Sequence, residues 1–174
     1  MYLSGRQPPL RGLDPEVPEL FEDILNRGLS LRFQATGRSM APFLGGGEIL
    51  TVRKVPSSSL CIGDLIFFRD SRDALILHRL VRRIDAGDGN VAFQTKGDAS
   101  VTFDEPVQQR KILGKVCGIE RAGRSGRLKY VDMELTSRRL INRLVALLGL
   151  IKSAWYFSSF RRNLKMISKV LPGR

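Results

Sequence analysis

The feature that most constrains the fold is a stretch of about a hundred residues, from Gly28 to Glu134, that lacks any helical pattern. Short runs rich in Ile, Val, Leu and Phe alternate there with turn-forming segments. This alternation is typical of antiparallel strands joined by hairpins, and it predicts a mainly β body. The predicted strands are Leu31–Thr36, Ile49–Val55, Leu65–Arg69, Leu75–Arg82, Val91–Lys96, Ile112–Arg121 and Arg127–Glu134.

Helical patterns flank this β body on both sides. Asp14–Asn26 has apolar residues on one face, Asp14 as a cap, Pro15 in the first turn and Gly28 as the stop. From Leu140 onward apolar residues return at helical spacing. We therefore expect one globular domain in three segments. They are an N-terminal extension with a short helix (1–30), a β-rich domain (31–135) and a basic amphipathic helical tail (136–174).

The positive charge is concentrated in the tail. The formal net charge is +12, but the segment from Arg138 to Arg174 holds nine Lys or Arg and no acidic residue, which leaves +3 for the rest. A basic, aromatic-bearing helix favours an anionic membrane surface, while a helix packed on the domain with its charges in water remains an alternative. The longest uninterrupted apolar run, Leu144–Ile151, has eight residues, fewer than the roughly twenty of a spanning helix.

Other classes of function have less support. The charge lies in the tail, and a single helix before the β region is too little for a helix-turn-helix domain, so no nucleic-acid partner is expected. The spacing of Cys61 and Cys117 suggests two buried thiols, and no metal or cofactor is expected. Met1–Leu13 lacks the apolar core of a secretory signal or anchor. We therefore expect a cytoplasmic protein, or one peripheral on the cytoplasmic membrane face.

One serine stands in a distinctive setting. Ser39 follows the first predicted strand in Thr36-Gly37-Arg38-Ser39-Met40-Ala41-Pro42-Phe43, where glycine permits a sharp turn and proline rigidifies the exit. Such a turn exposes a hydroxyl beside backbone N–H groups, the donors that an oxyanion hole needs. Serine also needs a base within reach, and His78 is the only histidine of the chain.

Several motifs around Ser39 occur in a fixed order. Gly37-Arg38-Ser39-Met40-Ala41-Pro42 resembles a Ser-Met-x-Pro signature, and Gly63-Asp64-Leu65-Ile66-Phe67-Phe68 and Leu77-His78-Arg79-Leu80 resemble the two strands that follow it. Phe93-Gln94-Thr95-Lys96-Gly97-Asp98-Ala99-Ser100 and Gly114-Lys115-Val116 complete the series. Together they resemble the signal-peptidase superfamily of serine peptidases, in its Ser–His branch, over roughly residues 36–118.

This resemblance implies a LexA/signal-peptidase-like β-fold and a serine endopeptidase that cleaves a leader-like or signal-like peptide. Ser39 would be the nucleophile and His78 the general base. Asp104 is the favoured partner of His78, and Asp98 would shape the loop or share that role. Lys96 is expected to be structural or salt-bridged. The chain departs from the family pattern at Gly37, where many members carry a hydroxyl, and in lacking a visible N-terminal anchor. A non-catalytic descendant that binds a peptide or a membrane surface is the alternative.

Overall fold

The fold is an eight-stranded antiparallel sheet, preceded along the chain by one helix and followed by another. The computed structural model describes residues 17–87, 89–123 and 127–170. The predicted mainly β body is confirmed. In chain order the helices and strands are α1 (Val17–Asn26), β1 (Leu31–Gln34), β2 (Ile49–Arg53), β3 (Leu65–Arg69), β4 (Leu75–Asp85), β5 (Val91–Lys96), β6 (Val107–Gln108), β7 (Ile112–Ala122), β8 (Leu128–Asp132) and α2 (Thr136–Val170). Two single-turn 3-10 helices lie at Ser57–Ser59 and Gln109–Lys111.

The strand order places the long strands at the centre of the sheet. It runs β1-β2-β7-β3-β4-β5-β6, and β8 pairs with the outer part of β7. Register shifts occur in the pairings of β2 with β7, β3 with β7 and β4 with β5. Because irregularities of this kind bend a strand, they curve the sheet and bring the end of β5 toward the turn that follows β1.

The core forms two apolar clusters. The larger lies beneath α1, where Phe21, Phe33 and Phe67 contact one another with ring centroids 5.3 to 6.3 Å apart. Met40 and Leu44, from the turn that carries Ser39, are buried in the same cluster. Packing of these two side chains therefore fixes the position of the turn.

The short N-terminal helix is present over Val17–Asn26, while Asp14 and Pro15 lie outside the described residues. Gly28, with φ of 75°, ends it as expected. The strands match the predicted runs apart from shifts of one to three residues at their ends. β6 was not predicted, because two residues are too few to show a period.

The predicted helical tail is α2, whose two faces differ in an unusual way. The face against the sheet carries small or polar residues, and Asn142, Ala146 and Ser153 are buried there. Large apolar side chains point outward instead, namely Leu140, Ile141, Leu144, Leu147, Leu148, Ile151, Trp155, Tyr156 and Phe157. By length and composition alone, the 24 residues Thr136–Ser159 could cross a membrane. The eight-residue apolar run did not indicate this, because Arg143 and Lys152 flank the run and limit its length.

Candidate active site

Ser39 lies in a compact turn directly after β1. The N–H of Ala41 donates to the Arg38 carbonyl at 3.0 Å, and the N–H of Leu44 donates to the Met40 carbonyl at 2.8 Å. Ser39 itself is half-buried, between an exposed Arg38 and a buried Met40. Burial of Met40 and Leu44 thus fixes the turn, and the turn holds Ser39 near the surface of the domain.

His78 and Asp104 form a hydrogen-bonded pair. His78 is in β4 opposite Ile66 of β3, and Asp104 follows β5. His78 Nδ1 lies 2.7 Å from Asp104 Oδ2, which also accepts a 2.7 Å hydrogen bond from Thr95 Oγ1. The N–H of Asp104 donates to the Thr95 carbonyl at 3.0 Å, so the backbone holds the carboxylate in place. A carboxylate bonded to one ring nitrogen orients the imidazole and leaves Nε2 available as a base.

The surroundings keep Asp104 ionised. Burial alone would raise its pKa, but the hydrogen bond and charge of His78, with the Thr95 hydroxyl and the more distant Lys96, outweigh burial and lower the pKa of Asp104. The carboxylate is thus charged in the state that accepts Nδ1–H and stabilises an imidazolium.

Gly97 is the point at which the serine turn meets the histidine. The N–H of Ala99 donates to the Ser39 carbonyl at 2.9 Å, which joins the loop after β5 to the turn. A Cβ at Gly97 would lie 3.1 Å from His78 Nε2 and 3.3 Å from Ser39 Cβ. The free nitrogen of His78 and the Ser39 side chain therefore flank the same glycine. Within the described residues Ser39 Oγ makes no hydrogen bond, a looseness that is common before substrate binds.

Two backbone donors lie beside the Ser39 hydroxyl. The N–H groups of Ser39 and Met40 have no hydrogen-bond acceptor in the part of the chain that the structure describes. They could bind the oxygen of a tetrahedral intermediate. Gly37 offers no side chain for this purpose. Thr36, which precedes it, is exposed.

Asp98 does not contact His78. Its two carboxylate oxygens instead accept hydrogen bonds from Arg79 Nε at 2.8 Å and Nη2 at 2.6 Å. Arg79 is fully buried and also donates to the Gly63 carbonyl at 2.9 Å. Of the two predicted roles for Asp98, these contacts favour shaping the loop, because both of its oxygens accept from Arg79 while Asp104 pairs with His78.

Lys96 makes its hydrogen bonds with the loop after β5. Its Nζ donates to the Ser100 carbonyl at 2.7 Å and contacts the Gly97 carbonyl at 3.3 Å. Desolvation, followed by repulsion from Lys152, lowers the pKa of Lys96. The amine is thus engaged in holding the loop that carries Gly97, in keeping with the structural role expected from the sequence.

Sequence reasoning missed Thr95, Arg79 and Gly97 as parts of the site. Each is adjacent in sequence to a residue that was singled out, Thr95 and Gly97 beside Lys96 and Arg79 beside His78. Thr95 could have been predicted to be buried, because side chains alternate along β5 and Thr95 lies on the same face as the buried Phe93. In the described ranges no three His, Cys, Asp or Glu side chains are grouped to hold a metal ion.

An open cleft of about 330 Å³ lies between the serine turn and α2. Pro42, Phe43 and Asp98 form its wall on the domain side. Val145, Leu148, Gly149 and Lys152 form the wall on the helix side.

No protein-family model matches the sequence, and no curated protein matches it. The assignment of function therefore depends on the residues and geometry described above.

Proposed function

We propose that the protein is a serine endopeptidase of the signal-peptidase type, acting on a peptide or protein with a leader-like segment. The observation that supports it best is the position of His78. Its Nδ1 is bonded to Asp104 and its Nε2 lies against the same glycine as Ser39. Three residue types required for nucleophilic acyl transfer thus come together from three separate segments, in the order that the resemblance implies.

The reaction would follow the usual course of serine acyl transfer. Ser39 Oγ attacks the carbonyl carbon of the scissile peptide bond while His78 Nε2 takes the hydroxyl proton. The N–H groups of Ser39 and Met40 stabilise the oxyanion, and Asp104 stabilises the imidazolium. Collapse of the intermediate breaks the C–N bond, and the leaving amine receives the proton from His78. Water then attacks the acyl-serine with His78 again as base, which releases the acid and restores the serine.

The tail supports action at a membrane surface. Because α2 packs on the domain through Asn142 and Ala146, its outer apolar face can enter a bilayer only sideways, as a helix lying in the interface. Basic residues Arg138, Arg139, Arg143 and Lys152 accompany that face and would meet anionic headgroups. We propose a peripheral position on the cytoplasmic face, with the active site held beside membrane-bound substrates.

A non-catalytic role as a peptide-binding or membrane-binding module is the second candidate. It is favoured by Gly37 in place of a hydroxyl and by the missing hydrogen bond between Ser39 Oγ and His78 in the described structure. Under this alternative the basic tail and the cleft would still bind, but Ser39 would have no chemical task.

The test is a digest of a diverse synthetic peptide library, read by mass spectrometry, with wild-type protein, Ser39→Ala and Ser58→Ala. Ser58 is an exposed serine remote in sequence from the site and serves as the matched control. The proposal expects new peptide termini with wild type and Ser58→Ala, and none with Ser39→Ala. Equal cleavage by Ser39→Ala would rule out this nucleophile.

A further inference from the structure

The cleft between the serine turn and α2 has a mostly apolar lining and no assigned role. Asp98 lines it, but both oxygens of that carboxylate are engaged by Arg79. Lys152, at the rim, contacts the Ala99 carbonyl at 3.4 Å. The remaining lining groups are Pro42, Phe43 and aliphatic or small residues of α2, so the cleft offers mainly apolar contact to a ligand.

The residues that line the cleft on the domain side are close in sequence to the proposed reacting groups. Pro42 and Phe43 follow Ser39 by three and four residues in the same turn. Asp98 directly follows Gly97, where an added Cβ would meet both Ser39 and His78 Nε2. A peptide whose scissile carbonyl reaches Ser39 would therefore have side chains within reach of the cleft mouth.

The cleft is also continuous with the outer apolar face of α2. Leu148 lines the cleft, yet it is 63% exposed and belongs to the row of large apolar side chains that point outward. A volume of about 330 Å³ lies near the lower end of the range of roughly 300–1,000 Å³ for ligand pockets. It suits one or two side chains rather than a whole helix.

We infer that this cleft is a substrate subsite for a large apolar side chain, of the Leu, Ile, Met or Phe class, located within a few residues of the scissile bond. This inference rests on the proposed function, because the ligand is a substrate only if the protein is a peptidase. It adds a specificity element that α2 supplies, so the helix contributes to peptide selection as well as to membrane contact.

Two neighbouring leucines allow a matched test. Leu148→Lys places a charge on the cleft wall, whereas Leu147→Lys makes the same change one residue away, at a side chain that is 53% exposed and does not line the cleft. The two variants lower the apolar character of α2 equally. A difference between them therefore reports on the cleft and not on the helix surface in general.

The probe is a set of decapeptides of Ala, Gly and Ser that carry one benzoylphenylalanine as both the apolar side chain and the photo-crosslinker. The full-length Ser39→Ala protein keeps the peptides intact, and the adducts are mapped by mass spectrometry. We expect adducts at Phe43, Val145 or Leu148. The yield of adduct should fall about tenfold or more with Leu148→Lys and change by no more than about twofold with Leu147→Lys.

Adducts confined to the outer face of α2, or an equal loss with both lysine variants, would overturn the subsite. The outcome is separable from that of the catalytic proposal. If the wild-type protein fails to cleave any peptide while adducts still map to the cleft, the peptidase assignment is wrong and a peptide-binding cleft stands. If cleavage occurs without cleft adducts, the subsite alone is wrong.

Discussion

At the scale of single residues, the site depends on Asp104 accepting two hydrogen bonds at one oxygen, from His78 and from Thr95. Asp104→Asn keeps the size but removes the charge, and an amide can donate to the ring nitrogen and favour the wrong tautomer. We expect the reaction rate at Ser39 to fall about 100-fold or more. The measurement is the rate of fluorophosphonate labelling. Asp73→Asn, at an exposed turn, is the control. A fall in the labelling rate of less than about threefold for Asp104→Asn would contradict the role of Asp104 in orienting His78.

The lowered pKa of Asp104 also predicts how stability depends on pH. Its folded pKa lies below the ordinary value for an aspartate, so the carboxylate stabilises the fold at any pH above that ordinary value. This contribution is lost as the pH falls through the folded pKa, because protonation removes the charge that His78 and Thr95 stabilise. Urea unfolding should therefore separate wild type from Asp104→Asn at pH 6 and bring them closer together near pH 3. A constant difference in the free energy of unfolding across this range would contradict the assignment.

Gly97 should tolerate no side chain. A Cβ there would lie 2.8 Å from the Ser39 carbonyl oxygen, which is too close, and 3.1 Å from His78 Nε2, which would have to move by a few tenths of an ångström. Gly97→Ala is expected to lower Ser39 labelling by about 100-fold, since small displacements of reacting groups are costly. Gly45→Ala is the control, because its Cβ would meet nothing closer than Glu48 Oε1, at an ordinary 3.8 Å. Full activity of Gly97→Ala would show that the serine and histidine are not set by this contact.

At the scale of secondary structure, α2 approaches the sheet through Gly63. This residue has φ of 99°, and a Cβ on it would lie 2.6 Å from the backbone of Asn142. The Gly63 carbonyl also accepts a hydrogen bond from Arg79, whose Nη1 lies 3.4 Å from Asn142 Oδ1. The buried arginine thus connects the helix, the strand that carries His78 and the Asp98 loop.

Gly63→Ala is expected to loosen α2 as well as strain the turn. Gly87→Ala is the matched control, since φ there is also positive, at 83°, but no atom lies within 4 Å of the added Cβ. We expect Gly63→Ala to cost about 1–3 kcal/mol more than Gly87→Ala and to speed hydrogen exchange in residues 138–150. Equal costs and unchanged exchange would mean that the helix does not depend on this contact.

Also at this scale, the limits of sequence-based prediction have identifiable physical causes. The strands and α1 follow from period-two and helical patterns that local chemistry dictates, and the mainly β class was predicted correctly. The inverted faces of α2 were not, because Asn142 belongs to the packing face only through its contacts with Arg79 and Gly63, and the sequence does not show that Ala146 and Ser153 are buried on that face. The pairing of Asp98 with Arg79 was likewise hidden, since a carboxylate after Lys-Gly fits either partner until the fold brings one of them close.

At the scale of the whole molecule, the outward apolar face and the basic tail predict binding to anionic vesicles. Sedimentation with phosphatidylserine-containing vesicles should retain the protein at low salt, and binding should weaken as ionic strength rises. The double variant Leu144→Gln, Ile151→Gln should reduce binding at least tenfold, because it makes the exposed outer face polar without adding positive charge or touching the packed face. Equal binding to neutral vesicles, or no effect of the variant, would argue that α2 does not lie in the interface.

Activation of Ser39 by His78 can be tested by mapping the adduct of a serine-reactive probe. The folded protein is treated with a fluorophosphonate and the modified peptide is identified by mass spectrometry, with His78→Ala and heat-unfolded protein in parallel. We expect labelling at Ser39 in the folded wild type alone. Absence of a Ser39 adduct in folded wild-type protein, or labelling that persists in His78→Ala, would contradict it.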